Sequence, residues 1–232
     1  HDFIPMALQK GAAAVLCTHC EGDYPAIVVE DTRKALGDIA RGERQRLGMK
    51  VVGVTGSVGK STTKEMIACV LGSTYKVQKT PVNHNNDLGM PMAILSMPED
   101  TEVAVLEMGM NHFREIAYLS NIANPDIAVI INIGTMHIEH LGSREGILKA
   151  KLEIMQGIRD DGVAVFNGDE PLLWNLRGTL PYKMVYFGME NPECDLLARD
   201  VVPHNEGIGF HVEGLRADFE VFVPAPGRHT VY

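Results

Sequence analysis

The sequence has no apolar run approaching the roughly 18 residues that a membrane span requires. No secretory or transit pattern opens it, and its first residues, His1-Asp2-Phe3-Ile4-Pro5, include no initiating methionine. They read as a chain that has been cut or only partly observed. Only four cysteines occur in 232 residues: Cys17, Cys20, Cys69 and Cys194. So few exclude a disulfide scaffold and suit a reduced, cytoplasmic compartment. Cys17-Thr18-His19-Cys20 has the spacing of half a zinc site or a redox pair. No second ligand pair occurs further along, so two free thiols after a strand are expected. A basic stripe is missing, and the formal net charge of −9 argues against a nucleic-acid partner. Internal repeats and low-complexity stretches are absent too.

What is present is an α/β pattern in two units. In residues 1–48, Met6 to Gly11 reads as a helix end. The apolar runs Ala12–Leu16 and Ala26–Glu30 read as buried strands, and Asp31-Thr32 opens a helix with Leu36, Ile39 and Ala40 on one face. This is too little chain to bury a good core alone, so it leans on the next unit or is part of a larger domain. A second unit, 49–232, starts near Met49. Strands are expected at Val51–Val54, Val103–Leu106, Ile127–Ile131 and Val163–Phe166. Helices are expected at Ser61–Leu71, Phe113–Ile122 and Ser143–Ile158. The alternation predicts a mostly parallel sheet flanked by helices. Beyond Met184, the runs Met184–Phe187, Gly209–Val212 and Phe219–Val223 predict a small added antiparallel sheet.

The strongest motif is Thr55-Gly56-Ser57-Val58-Gly59-Lys60-Ser61-Thr62, between a predicted strand and a predicted helix. Glycines let the backbone curl so that N–H groups face phosphate oxygens, and the helix N-terminus adds a favourable partial charge. Lys60 would reach the terminal phosphates, and the Ser61 hydroxyl would bind Mg²⁺. The full phosphate-loop pattern wants glycine where Val54 stands, so this is a shortened form, Gly-x-x-Gly-Lys-Ser.

Two further residues stand out on position alone. Glu107 ends an apolar strand, at the edge where parallel sheets bind ligands. Lys151 falls near the centre of an apolar helical stripe of Ile147, Leu148, Ile154, Met155 and Ile158, with Lys149, Glu153 and Gln156 on the polar side. An inward lysine loses solvation and has a lowered pKa; the bland alternative is a side chain that snorkels to water.

At the shortened loop the sequence resembles the Mur ligase family. Further matches run in order through the chain: Thr63-Lys64-Glu65-Met66-Ile67, Asn83-His84-Asn85-Asn86, Leu106-Glu107-Met108-Gly109-Met110-Asn111 and Asn132-Ile133-Gly134. They continue with His137-Ile138-Glu139-His140-Leu141-Gly142-Ser143, Ala150-Lys151, Asn167-Gly168-Asp169 and Pro226-Gly227-Arg228-His229. Thr230 departs from the family pattern, which has Asn there.

The resemblance implies a three-domain plan. Residues 1–48 would end the UDP-substrate-binding domain, 49–232 would form the central ATP-binding domain, and a closing domain would come after Tyr232. It implies an ATP-dependent ligase using Mg²⁺, of the branch that adds D-alanyl-D-alanine to a UDP-muramoyl tripeptide. Nucleotide contacts would come from Gly56, Ser57, Val58, Gly59, Lys60, Ser61, Thr62, Asn83, Asn167, Asp169 and His229. Asn83 would reach the γ-phosphate or the reacting carboxylate. Metal ligands would be Ser61, Glu107, His137 and Lys151, the last as a carbamate formed with CO₂. Another amino-acid ligase of the family, or a nucleotide-binding module without turnover, remains as an alternative. The Asn-Lys-x-Asp guanine motif of GTPases is not found.

Overall fold

The computed structural model describes residues 2–232; His1, which opens the first unit, lies outside the described residues. Helix α1 (Ile4–Gln9) leads into strands β1 (Val15–Cys17) and β2 (Ala26–Val28), paired in parallel as a small sheet of their own. Helix α2 (Thr32–Leu47) comes next, its first turn capped by the Asp31 carboxylate, which accepts from the N–H groups of Arg33 and Lys34.

The remaining elements build one nine-stranded sheet. They are β3 (Lys50–Thr55), α3 (Lys60–Leu71), β4 (Val77–Lys79), α4 (Gly89–Leu95), β5 (Val103–Glu107), α5 (Glu115–Ala123) and β6 (Ile127–Ile130). Next come α6 (Ile138–Leu141), α7 (Arg144–Leu152), a 3₁₀ turn at Glu153–Gln156, β7 (Val163–Asn167), α8 (Pro171–Trp174) and β8 (Lys183–Gly188). The chain closes with β9 (Leu196–His204), β10 (Gly207–Gly214), β11 (Ala217–Val223) and a 3₁₀ turn at Arg228–Thr230. The spatial order is β4-β5-β3-β6-β7-β8-β9-β10-β11. From β4 to β9 every pair is parallel, and only β9-β10-β11 is antiparallel. After β3 the chain builds β4 and β5 on one side, then crosses to build β6 and β7 on the other. The order therefore reverses between β3 and β6, which is where open α/β sheets form a ligand crevice at their carboxyl ends.

Strand alternation sends side chains to two cores. Val51, Ala104, Leu106, Ala128 and Ile130 face the larger one, under α2, α4, α5 and α7. Val52, Val54, Val103, Val105 and Val129 face the smaller one, under α3. Helix α2 is part of the larger core. A Cβ on Gly37 would come within 2.1 Å of the Tyr118 hydroxyl, so a larger residue there would have to displace the Tyr118 side chain. Buried Arg44 then donates to the carbonyls of Ala123 and Asn124 at 2.8 and 2.9 Å. The first unit thus leans on the central unit through α2.

Several expectations change. Strand β2 is not buried: Ile27 and Val28 are both 57 % exposed. Ile39 faces solvent, and the inner face of α2 is Gly37, Ala40 and Arg44. Strand β8, expected in the added antiparallel sheet, instead continues the parallel sheet beside β7, and the antiparallel part is added to that sheet through β8–β9. Strands β4 and β9 and helix α4 were not among the expected elements: Gln78, Lys79, Arg199 and Asp200 interrupt the apolar pattern of the strands, and Gly89 and Pro91 lie within the helix. Pro91 is tolerated because it sits in the first turn, where its missing N–H has no partner to lose. The long helix expected to Ile158 tightens into 3₁₀ geometry after Leu152.

That tightening moves Glu153 inward. Expected on the polar side, it is buried, and its carboxylate accepts from the N–H of Arg114 (2.8 Å to each oxygen) and of Ala117 (3.3 Å). It caps α5 from a distance, where a negative charge complements the helix dipole. Glu153→Ala removes the acceptor of the buried Ala117 N–H and the part-buried Arg114 N–H and should cost about 2 kcal/mol. The check is a lower urea midpoint at unchanged slope; an unaltered midpoint would mean that water replaces the carboxylate.

Candidate active site

The phosphate loop leaves β3 at Thr55 and enters α3 at Lys60. Gly59 has a φ of 81°, a left-handed conformation that glycine adopts without strain. The N–H groups of Gly59, Lys60, Ser61 and Thr62 bond to no acceptor among the described residues and stand at the N-terminus of α3. They form an anion-binding end. The N–H groups of Ser57 and Val58, also expected to face phosphate, are instead both donated to the Asn132 side-chain oxygen, at 2.9 and 3.0 Å. Lys60 curls back over the loop, its Nζ donating to the carbonyls of Gly56 (3.0 Å) and Ser57 (3.2 Å). Burial lowers its pKa from the ordinary lysine value, and the charge of Glu107 opposes that shift.

Glu107 is the hub. It is buried at the end of β5 and accepts from the Ser61 hydroxyl at 2.7 Å and from Asn85 Nδ2 at 2.8 Å. Its own N–H donates to Thr80 Oγ1 at 3.0 Å. Behind it lies Lys64, with no exposed surface, whose ammonium donates to the Thr80 carbonyl at 2.8 Å and lies 3.9 Å from a Glu107 oxygen. Glu65 lies 3.3 Å from the same ammonium. Neither Lys64 nor Asn85 stood out in the sequence beyond its motif. A fully buried lysine needs such partners, since an unpaired buried charge is costly.

Lys151 is where its helical position predicted. It is buried with Ile147 and Ala150 on the inner face of α7, and its side chain makes no hydrogen bond or ion pair among the described residues. Burial, helped by the nearby charge of Lys60, brings its pKa down to about 7. His137 caps α6 in a left-handed conformation (φ 62°) and lines a cleft of about 730 Å³. Lys60, Asn85 and Arg114 line the same cleft, and so do Arg33 and Asp31 from the first unit. His140 is exposed and stacks on His112, with ring centres 4.6 Å apart.

The remaining expected residues are placed differently. Asn83 is exposed, left-handed (φ 64°) and not part of the cleft wall. Asn167 makes a turn, its Oδ1 accepting from Asp169 N–H at 2.9 Å. Asp169 accepts from the N–H groups of Met189, Glu190 and Asn191 and from the Tyr232 hydroxyl. Burial raises its pKa, but these donors outweigh burial and hold it below the usual carboxylate value. Both residues therefore tie loops at the carboxyl edge of β7. His229 is exposed beside Thr230, whose hydroxyl closes its own turn on the Gly227 carbonyl at 2.7 Å. Cys17 and Cys20 are free thiols, and no cluster of three metal-ligating side chains occurs among the described residues.

A shortened phosphate loop at the reversal point of a parallel sheet, with a hydroxyl and a carboxylate beside it, defines a phosphate-binding α/β protein. The chain belongs to the Mur ligase family: a model of the Mur ligase middle domain matches residues 54–232. The UDP-N-acetylmuramoyl-tripeptide–D-alanyl-D-alanine ligase of Bacillus subtilis (strain 168) is 47 % identical over 235 residues, spanning 100 % of this chain and 50 % of that protein. The ligase of the same name from Escherichia coli (strain K12) is 34 % identical over 233 residues, spanning 100 % of this chain and 52 % of that protein. The chain thus spans about half the length of the curated relatives it matches. A crystal structure of MurF from Acinetobacter baumannii superposes with a TM-score of 0.92 at 33 % identity, over 100 % of this chain and 51 % of that one. That of the MurF ligase from Thermotoga maritima in complex with ADP gives 0.89 at 33 % identity, over 100 % of this chain and 54 % of that one.

Lys60→Ala removes the cation that curls over the loop. In the intact protein it should slow nucleotide-dependent turnover by about a hundredfold or more. Near-normal turnover would remove the phosphate-loop assignment.

Proposed function

We propose that the chain is the nucleotide-binding part of an ATP-dependent ligase that joins D-alanyl-D-alanine to a UDP-N-acetylmuramoyl tripeptide in the cytoplasm. In this reading residues 1–48 end a substrate-binding domain and 49–232 form the central ATP-binding domain. The relatives' shared name and their matches across the whole chain support the substrate assignment. The observation that carries the chemistry is Lys151: a buried amine with no counter-ion, close enough to Lys60 to feel its charge.

The reaction activates a poor acylating agent. A peptide carboxylate oxygen attacks the γ-phosphorus of ATP, the bond to the β-phosphate oxygen breaks, and ADP leaves. The dipeptide amine then attacks the acyl carbon, phosphate departs, and the amine proton passes to solvent or to phosphate. Catalysis of such transfers is mainly positioning and charge stabilisation. The free N–H groups at the start of α3 would hold the phosphates. Lys60 would exchange the Gly56 and Ser57 carbonyls for phosphate oxygens.

The donor set fits magnesium. That ion takes few protein ligands, keeping waters and phosphate oxygens, so the absence of a three-residue cluster is no obstacle. Ser61 and Glu107 are already in contact, and His137 stands at the cleft wall. Bound magnesium would neutralise phosphate charge during transfer. An ammonium at Lys151 would oppose this, whereas its carbamate would supply anionic oxygens. Carbamate formation needs the neutral amine, which is the minority form below a pKa of about 7 and the majority above it. Asn83, Asn167, Asp169 and His229 have less support as direct nucleotide contacts than the Gly59–Thr62 segment, since Asp169 and Asn167 are engaged in turns.

The test is chemical rescue in the intact protein. Lys151→Ala should lose most ligase activity, and acetate or formate should restore part of it by filling the vacated space with a carboxylate. Lys151→Arg should stay inactive under the same treatment, because it keeps the positive charge and the bulk. Mild loss in Lys151→Ala with no effect of acetate would leave Lys151 a structural lysine. ADP release that depends on both peptide substrates separates a ligase from a module that only binds nucleotide.

A further inference from the structure

The segment that leaves β6 grips the phosphate loop across the sheet's reversal point. Asn132 Oδ1 accepts from two successive N–H groups, Ser57 at 2.9 Å and Val58 at 3.0 Å. Asn132 Nδ2 donates to the Val58 carbonyl at 3.0 Å, so the carboxamide engages both polar groups of Val58. The Ser57 N–H is shared with the Asn132 backbone carbonyl at 3.2 Å, and the Gly134 N–H donates to Ser57 Oγ at 2.8 Å.

We infer that Asn132 is a positioning residue that keeps the shortened phosphate loop in its nucleotide-ready shape once Lys60 has let go of it. The inference rests on the nucleotide-binding part of the reading above. The side-chain hold on the backbone of residues 56–58 is divided between Lys60 and Asn132. Lys60 takes the carbonyls of Gly56 and Ser57. Asn132 takes the N–H groups of Ser57 and Val58 and the carbonyl of Val58. Lys60 cannot serve the phosphates while it bonds to those carbonyls, so binding nucleotide costs the loop its lysine contacts. The Asn132 contacts involve no group that the phosphates need, because the four free N–H groups begin at Gly59.

A loop with glycine at the Val54 position could curl further and turn more of its own N–H groups to phosphate. This one has Val54 buried in the smaller core, so the curl starts later and an outside group must fix it. A carboxamide suits the task because one oxygen accepts twice while the nitrogen donates. Aspartate keeps the two acceptances, loses the donation and adds negative charge near phosphate. Alanine loses all three.

The experiment measures Mg-ADP affinity of the intact protein by calorimetry for wild type, Asn132→Ala and Asn132→Asp, with melting temperatures alongside. Asn132→Ala should bind ADP about tenfold or more weakly, the loss of more than one net hydrogen bond. Asn132→Asp should bind no better than Asn132→Ala. KM for ATP should rise while KM for the UDP-linked peptide stays unchanged, a split that general loss of structure would not give. Amide exchange at Ser57 and Val58 should quicken in Asn132→Ala without nucleotide. A folded Asn132→Ala that binds ADP within about twofold of wild type overturns the inference. If Asn132→Ala does not fold, Asn132→Asp decides by the same criterion. Wild type that binds no ADP would remove the nucleotide reading itself, and this inference with it.

Discussion

The parallel register of β5, β3 and β6 is the constraint on which the site depends. Val54 lies opposite Glu107 on one side and Val129 on the other, and Thr55 lies opposite Ile130. Three strands therefore end almost level. The segments that leave these ends are forced into one place: Gly56 to Ser61 after β3, Met108-Gly109 after β5, and Ile131-Asn132 after β6. Ser61 meets Glu107 and Ser57 meets Asn132 because of this registry, not because of closeness in sequence. A shift of one residue in any of the three strands would turn its last side chain to the opposite face and separate the hydroxyl from the carboxylate.

Electrostatics around this edge divides three lysines into three conditions. Lys64 is fully buried but has the Thr80 carbonyl and two carboxylates near it. Lys60 is half-buried and rests on two carbonyls that it can give up. Lys151 is buried with no partner at all among the described residues, and Lys60 lies near enough to push its pKa further down. Stability alone does not account for an unpaired lysine in an apolar face, because a methionine would fill the same space without the desolvation cost. The three positions make sense together if one cation is structural, one moves to the phosphates and one gives up its charge.

How much of this was legible in the sequence depended on whether the signal was local. The phosphate loop was legible because its glycines, lysine and hydroxyl sit at fixed spacing between a strand and a helix. Lys151 was legible because helical periodicity alone puts it on the inner face, and α7 keeps that periodicity as far as Leu152. Glu153 was misplaced one residue later, where the helix tightens and the period changes. Its partners, Arg114 and Ala117, belong to a helix that precedes it by a whole strand, so no local pattern could show them. Asn132, Asn85 and Lys64 were visible only as members of motifs. Each acts through a group on a neighbouring strand end or loop, and that pairing exists only once the sheet has formed. Asn167 and Asp169 belong to a motif at the carboxyl edge of the sheet, and their polar groups hold loops there.

At residue 48 the chain breaks its regular structure without parting from the central sheet. Gly48 is left-handed and ends α2 as a C-cap, so the chain breaks its regular structure there. Yet Ala40 lies in the larger core, Arg44 caps the end of α5, and the Tyr118 hydroxyl donates to the Arg33 carbonyl at 3.0 Å. Arg33 in turn pairs with Asp87 at 2.6 Å, in the loop that also carries Asn85. The same loop therefore touches the buried Glu107 through Asn85 and the first unit through Asp87, two residues apart. The Arg33–Asp87 pair thus links α2 to the loop that carries Asn85, whose side chain donates to Glu107. Residues of both units line the cleft: Asp31 and Arg33 from the first, Lys60, Asn85 and His137 from the second.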